Sequence, residues 1–506
     1  MAFNYGVDTL TLELVNDIAN GHLAAELSQQ AKDKITASRK NVEFMANSSS
    51  ATYGINTGFG PLCDTQISPK ETNLLQKNLL ITHAVGVGKP IDKAISKLML
   101  ITKIHALSQG FSGIRLEVVE RMLEFLKLDL IPVVPEQGSV GASGDLAPLS
   151  HLFLPLLGEG VFWQGDQTVA AKDALAHHGL TPMELEAKEG LALINGTQFI
   201  LSHAITALKK MNYLLDLADL AGAMSIEGMQ GSSSPFRAEL HATRPFAGII
   251  TVAERMRQFF KNSDNMASHT NCGRVQDPYS LRCIPQVHGA SRNAYQHLKE
   301  LTEIEMNSVT DNPIVISQEE AISGGSFHGQ PLAMALDYVS IAAAELGNIA
   351  DRRCYLLLEG LHGLPRMLTT SGGLNSGMMI PQYVTAALVT ENKSLCFPPS
   401  ADSVPTSMGQ EDHVSMGSIS GRKLNQILGN LEKILAIELM FAAQAIDFRR
   451  PNTCSDIIEK NHRLIRSKVA TLEDDRLLKP DIDAIVSLVT TQALDVNANF
   501  PANSKL

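Results

Sequence analysis

The chain has 506 residues, a formal net charge of −11 and 44% hydrophobic residues, which is ample apolar material for a buried core. The acidic balance argues against a nucleic-acid partner, because phosphate binding relies on clustered lysine and arginine that this chain does not display. The six cysteines show no CxxC spacing and none of the 15 histidines lies in an HExxH arrangement, so we expect reduced thiols and no structural or catalytic metal.

Periodicity predicts a mainly helical chain with a few short β hairpins. In chain order, residues 161–169 are typical of a hairpin, 199–228 of an alanine-rich helix, 314–322 of a second hairpin, and 332–358 and 424–448 of further long helices. In the last segment, apolar residues recur at the three-and-four spacing of one helix face. We therefore expect a bundle of long helices, and neither hairpin supports a parallel sheet.

Neither the N-terminus nor the apolar stretches indicate secretion or membrane insertion. Residues 1–8 lack a basic region followed by an apolar one. The longest apolar stretches, such as 437–446, contain polar residues and are shorter than a bilayer span. We expect a cytoplasmic protein with no membrane partner. No linker divides the chain convincingly, which predicts one unit over 1–506, with a loop-rich N-terminal part (1–196) and a long-helix part (197–506).

A run of small residues at 138–151, GSVGASGDLAPLSH, contains the tripeptide Ala142-Ser143-Gly144. Small residues alone are more typical of a flexible glycine-rich loop. They also leave the backbone free to adopt tight geometries, so the Gly144 amide nitrogen could attack the Ala142 carbonyl carbon. Loss of two waters, one of them with the Ser143 hydroxyl, would leave an electrophilic five-membered methylidene-imidazolone.

Two alternative motifs fail on inspection. The segment 86–89, GVGK, is followed by Pro90 rather than Ser or Thr and lacks the upstream glycine of a phosphate-binding loop, so we expect no nucleotide cofactor. Residues 141–145 end in Asp145, where a nucleophile elbow requires glycine. Ser143 is therefore not expected to be a hydrolase nucleophile.

The run at 138–151 resembles the signature of the histidine, phenylalanine and tyrosine ammonia-lyase family, in which Ala-Ser-Gly forms the prosthetic group MIO (4-methylidene-imidazol-5-one). Four further segments resemble motifs of this family and occur in its order: YGINTGFG at 53–60, EGLALINGT at 189–197, QDPYSLR at 276–282 and QEDH at 410–413. The resemblance implies a long-helix bundle of the ammonia-lyase and fumarase-like type. It also implies a homotetramer whose active sites combine loops from several subunits.

The resemblance assigns roles to individual residues. Tyr53 matches the base that takes the β-proton of the substrate, and its pKa, ordinarily about 10, would have to be lowered by its surroundings. Arg282 would hold the substrate carboxylate through two parallel hydrogen bonds. Further matches are to an active-site tyrosine, to two positions that support the prosthetic group, and to an aromatic residue packed near it: Tyr279, Asn195, Gln276 and Phe327.

Two positions bear on the substrate. The pair Thr82-His83 is similar to the Ser-His of family members that act on histidine, and differs from the Phe-Leu and His-Leu of phenylalanine and tyrosine lyases. A carboxylate at Glu411 could accept a hydrogen bond from an imidazole N–H or help transfer a proton, whereas a phenyl ring would leave it unpaired. We expect conversion of L-histidine to trans-urocanate and ammonia. A tyrosine or phenylalanine lyase, an aminomutase and an inactive helical paralogue stay open as alternatives.

Overall fold

The computed structural model describes residues 2–48, 50–270, 273 and 275–497, and over these residues the protein is mainly helical, as predicted. Two compact units can be distinguished. The first comprises Met1–Thr206, Lys299–Leu336 and Pro398–Arg422; the second comprises Ala207–Leu298, Asp337–Phe397 and Lys423–Leu506. The expected parts 1–196 and 197–506 stay a prediction.

Long helices dominate the fold, and the four longest that the structure describes are Gln198–Met229, Ile284–Met306, Gln330–Leu358 and Gly417–Asp447. They confirm the helices predicted at 199–228, 332–358 and 424–448. The predicted apolar stripe is buried, since Leu424, Ile427 and Leu428 have no exposed surface. Burial of each such side chain contributes about 1.5–3 kcal/mol to stability.

Shorter helices complete each unit. Those of the first unit are Leu12–Ala19, Gln29–Ala46, Thr72–His83, Lys93–Ser108, Leu116–Lys127, Leu146–Phe153, Ala171–His177 and Glu189–Ile194. Those of the second are Ala238–Ala242, Ala247–Phe259, Asp264–Ala267, Tyr279–Arg282, Met379–Leu395, Asp456–Arg466 and Lys479–Thr490. Local caps begin some of them. The Ser28 hydroxyl, for example, accepts a hydrogen bond from the Ala31 N–H at 3.3 Å.

The described strands pair two by two. The predicted hairpins are confirmed, the first as Val161–Gln164 with Gln167–Ala170 and the second as Ile314–Val315 with Ala321–Ile322. Two further pairs were not predicted: parallel Phe3–Asn4 with Ala25–Glu26, and antiparallel Val87–Pro90 with Pro135–Gln137. The last three residues of the GVGK segment, 87–89, thus lie in a strand. These strands give little periodic signal in the sequence because each strand has only two to four residues.

One described helix, Gln330–Leu358, is long and apolar enough to cross a membrane, with a mean hydropathy of 1.2 over its most apolar window. Of that window, 72% is buried inside the protein, as is usual for a core helix.

Five cysteines among the described residues are free thiols, and Cys272 lies outside those residues. Within the same part of the chain, no group of three or more His, Cys, Asp or Glu side chains could hold a metal ion.

Candidate active site

A cavity of about 410 Å³ in the first unit brings together Tyr53, His83, Ser143 and Glu411. The sequence analysis predicted all four as site residues, although they come from segments far apart in the chain. His83 is the last residue of the helix Thr72–His83. Most of the other lining residues are apolar or glycine: Gly58, Phe59, Gly60, Pro61, Leu62, Ile67, Leu75, Leu79, Leu146, Leu191 and Ile194. The few polar groups therefore stand on an otherwise apolar wall.

The backbone of the tripeptide is bent back on itself. Ala142 and Gly144 pair as an isolated antiparallel bridge, and Gly144 also pairs with Gly196. The φ of Gly144 is +76°, and a Cβ atom there would lie 2.2 Å from the Gly196 carbonyl oxygen. That same oxygen accepts a hydrogen bond from the Asp145 N–H at 2.7 Å. Only glycine fits at position 144, both for its φ and for this close approach.

Asp145, which follows the tripeptide directly, holds it in place through hydrogen bonds of its side chain. Its carboxyl group is fully buried and accepts hydrogen bonds from the Ile200 N–H at 3.0 Å and from the Ser139 hydroxyl at 2.8 Å. Burial raises the pKa of Asp145 to about 7, although these donors favour the charged form. The carboxyl group therefore ties the tripeptide to the first turn of the helix Gln198–Met229.

Asn195 lies beside Gly196 with its side chain buried. Its Nδ2 donates to the Asn312 carbonyl at 3.4 Å, while its Oδ1 is buried without a hydrogen-bond partner among the described residues. Its backbone carbonyl accepts a hydrogen bond from Lys103 Nζ at 2.5 Å. Burial lowers the pKa of Lys103 to about 7, although the Asp311 carboxylate favours the ammonium. A buried, unpaired amide oxygen needs a partner, which fits the expected support of a prosthetic group.

The Glu411 carboxylate reaches the tripeptide. Its Oε1 accepts a hydrogen bond from the Ser143 hydroxyl at 3.0 Å. Its Oε2 accepts from the hydroxyls of Thr406 at 2.8 Å and Ser407 at 3.0 Å. Both oxygens of the carboxylate are therefore held by hydroxyl donors, and one of those donors belongs to the residue expected to lose its hydroxyl.

The surroundings shift the pKa of two cavity residues. Burial raises the pKa of the Tyr53 phenol, the nearby Glu411 carboxylate raises it further, and a hydrogen bond from the Gly60 N–H at 3.5 Å opposes this. The base role predicted for Tyr53 requires a shift in the opposite direction. Burial also lowers the pKa of His83, whose Nδ1 lies 3.2 Å from the Thr82 hydroxyl. A neutral imidazole is favoured there.

The other predicted site residues lie elsewhere. Gln276 and Arg282 line a cavity of about 780 Å³ in the second unit. Arg282 donates through Nε to the Asp277 carbonyl at 3.0 Å, and its guanidinium carbon lies 4.4 Å from the centre of the Tyr279 ring, which is 70% exposed. Phe327 is half-buried in a turn of the first unit and does not line the 410 Å³ cavity.

The sequence analysis missed three residues that hold the site. Thr406 and Ser407 precede Glu411 by five and four positions. Their hydroxyls reach the Glu411 carboxylate only because the chain between Thr406 and Glu411 forms a turn. Lys103 lies within the mostly apolar run LMLITKIHAL at 98–107. A lone lysine in such a run signals a buried charge with a specific partner, and that signal could have been used.

Ser143 of the Ala-Ser-Gly tripeptide thus lines a cavity in a protein built mainly of long helices. The chain belongs to the aromatic amino acid lyase family, whose sequence profile matches residues 10–467. It is 46% identical to histidine ammonia-lyase from Myxococcus xanthus over 490 residues, 96% of each chain. Its fold is similar to that of histidine ammonia-lyase from Trypanosoma cruzi (TM-score 0.90, 39% identity, 100% of this chain and 96% of that one). It is also similar to that of tyrosine aminomutase from Streptomyces globisporus (TM-score 0.92, 34% identity, 98% of each chain).

Proposed function

We propose that this chain eliminates ammonia from L-histidine to give trans-urocanate. The observation that carries the proposal is the Glu411 carboxylate, which contacts Ser143 within a largely apolar cavity. A carboxylate at this position favours a ring that carries an N–H and disfavours a hydrocarbon ring, which would leave the carboxylate unpaired. The names of the relatives from Myxococcus xanthus and Trypanosoma cruzi support the same substrate.

We also propose that Ala142-Ser143-Gly144 cyclises to MIO, with no metal or nucleotide. A bond forms between the Gly144 nitrogen and the Ala142 carbonyl carbon, and two waters leave. One carries the Ala142 oxygen with the amide hydrogens of Gly144 and Ser143, and the other carries the Ser143 hydroxyl with the Ser143 Cα hydrogen. The bridge between Ala142 and Gly144, the positive φ of Gly144 and the unpaired Oδ1 of Asn195 fit such a ring. When formed, the group supplies an electrophilic carbon for the substrate amine.

The residues of the chain then have distinct tasks. Glu411 orients the imidazole and His83 contacts it from the same cavity. Tyr53 takes the β-proton, and because burial raises its pKa, this task requires a positive charge near the phenol. Arg282 holds the substrate carboxylate, Tyr279 is an active-site tyrosine, and Gln276 supports the prosthetic group together with Asn195. Neighbouring subunits of a homotetramer complete this site. Phe327 packs near the ring in the same assembly.

Purified protein is mixed separately with L-histidine, L-tyrosine and L-phenylalanine, and the unsaturated acid is followed by ultraviolet absorbance while ammonia is measured. We expect urocanate and equimolar ammonia from histidine. Faster deamination of tyrosine or phenylalanine would overturn the substrate assignment. Because the fold is also similar to that of a tyrosine aminomutase, a second outcome is defined. Conversion of tyrosine to a β-amino acid without ammonia release would assign aminomutase activity to the chain.

A further inference from the structure

The turn that carries Glu411 is strained. Three consecutive residues, Ser407, Met408 and Gly409, have φ angles of +50°, +56° and +85°. Residues other than glycine rarely adopt this left-handed region because Cβ crowds the backbone. The Met408 side chain is 93% exposed, so its packing does not offset the cost. Strain of this kind persists only where other contacts hold the backbone in place.

The contacts that hold this turn converge on Glu411. The Thr406 N–H donates to the Glu411 carbonyl at 2.9 Å, and the Glu411 N–H donates to the Thr406 carbonyl at 3.4 Å, which closes the loop. The hydroxyls of Thr406 and Ser407 both donate to one carboxylate oxygen, Oε2. The carboxylate is thereby fixed through Oε2, while Oε1 faces Ser143 in the cavity.

Cyclisation of the tripeptide would change the partners of this carboxylate unequally. The Ser143 hydroxyl leaves as water, so Oε1 loses its donor, whereas Oε2 keeps both of its own. An ionised carboxylate only accepts hydrogen bonds. Oε1 then becomes a single unpaired acceptor in a mostly apolar cavity, and a substrate with a ring N–H can satisfy it.

We propose that Thr406 is a positioning residue that sets the substrate preference: by holding Glu411 Oε2, its hydroxyl presents Oε1 to the ring of the substrate. This inference rests on the proposed function. Thr406 is the stronger of the two holding groups, because its hydroxyl lies nearer to Oε2 and its side chain is half-buried, whereas that of Ser407 is exposed. Without this contact the carboxylate can rotate, and the acceptor is no longer fixed.

The test compares Thr406→Val, which removes the hydroxyl at nearly constant shape, with Thr406→Ser, which keeps it. Hydrogen bonds to charged groups are the strong ones, so we expect kcat/KM for histidine to fall roughly ten- to a hundredfold in Thr406→Val. Thr406→Ser should stay within about threefold of wild type on the same scale. Thr36→Val is the matched control, since the Thr36 hydroxyl donates only to the Lys32 carbonyl on an exposed helix face.

A second comparison separates positioning from a general structural role. In a Glu411→Gln background, Thr406→Val should have little further effect on kcat/KM, because the group that Thr406 acts through is already changed. Equal losses in the two backgrounds would overturn the inference, and so would unchanged kinetics in Thr406→Val. Intact mass and melting temperature, measured on every variant, should match wild type apart from the substituted side chain.

If Thr406→Val does not fold, Ser407→Ala carries the test, with a smaller loss in the same direction and the same dependence on Glu411. Additive losses for Ser407→Ala would then overturn the inference.

The proposed function and the proposed role of Thr406 fail in different ways. Wild-type protein that does not deaminate histidine refutes the proposed function, whereas wild-type protein that does so, with Thr406→Val unaffected, refutes only the role of Thr406.

Discussion

The surroundings of the tripeptide and the segment 276–282 both carry predicted site residues, yet they differ in burial. Around the tripeptide, Asp145 is fully buried and Asn195 is 2% exposed, and the backbone N–H groups of both residues donate hydrogen bonds. In the segment 276–282, Tyr279 is 70% exposed and lies in a helix of four residues. On the proposed roles, one folded chain builds the electrophile from buried groups. On the same proposal, Arg282 holds the substrate carboxylate from an exposed segment that neighbouring subunits complete.

The largest expected effect comes from Ser143→Ala. Wild-type protein should weigh less than its sequence by the mass of two waters, whereas the variant should show its full sequence mass and no turnover. Melting temperature should stay close to wild type, because the surrounding hydrogen bonds are made by the backbone, Asp145 and Asn195. An unmodified mass in active wild-type protein would contradict the cyclisation.

Arg282→Lys tests the exposed segment. Lysine keeps the charge but cannot form two parallel hydrogen bonds to a carboxylate. We expect kcat/KM to fall roughly ten- to a hundredfold. Cyclisation, measured by intact mass, should be unaffected. Arg476→Lys is the control, since Arg476 pairs with Asp481 at 2.8 Å on the surface. A loss of cyclisation in Arg282→Lys would remove the distinction between the two regions.

His83→Phe, with Thr82 left intact, probes the wall of the cavity and should have a smaller effect. Loss of one neutral hydrogen-bonding group predicts a fall of about five- to tenfold in kcat/KM for histidine. Phenylalanine should be accepted weakly, because an apolar wall no longer favours ring nitrogens. The ratio of the two specificity constants is the measurement, and an unchanged ratio would place His83 outside the ring pocket.

The smallest effect concerns stability and pH. Burial raises the pKa of Asp145 from an ordinary value near 4 to about 7, so the folded protein holds a proton that the unfolded chain has released. This contribution is complete below about pH 4 and is lost as the pH rises through about 7. The melting temperature of wild type minus that of Asp145→Asn should therefore decrease by a few degrees from pH 4.5 to 7.5. A constant difference would show that Asp145 stays ionised.

The sequence predicted the long helices because their periodicity persists over many turns, but it placed the start of the last helix seven residues too late. Its first turns contain Gly417 and Gly421, which are poor helix formers. Close packing explains them, since a Cβ on Gly421 would lie 2.8 Å from the Cβ of His203. Such tertiary contacts override local propensity and leave no periodic trace.

The site was predictable to the extent that motifs name single residues. Tyr53, His83, Ser143 and Glu411 were identified by family resemblance, and the cavity brings them together. The hydroxyl of Thr406 could not be identified in this way, because its contact depends on a left-handed turn that no residue type other than glycine indicates. The raised pKa of Tyr53 was equally hidden, since burial is a property of the folded chain.

The hydrogen bond from the Ile200 N–H to Asp145 joins residues 55 positions apart in the sequence. It follows that, on the proposed cyclisation, synthesis and packing up to at least residue 200 must precede the chemistry at Ser143. On the same proposal, a nascent chain that has just exposed the tripeptide is not yet cyclised. Since every atom of the proposed ring comes from the polypeptide, its formation would be timed by the folding of the chain rather than by any supply from the cell.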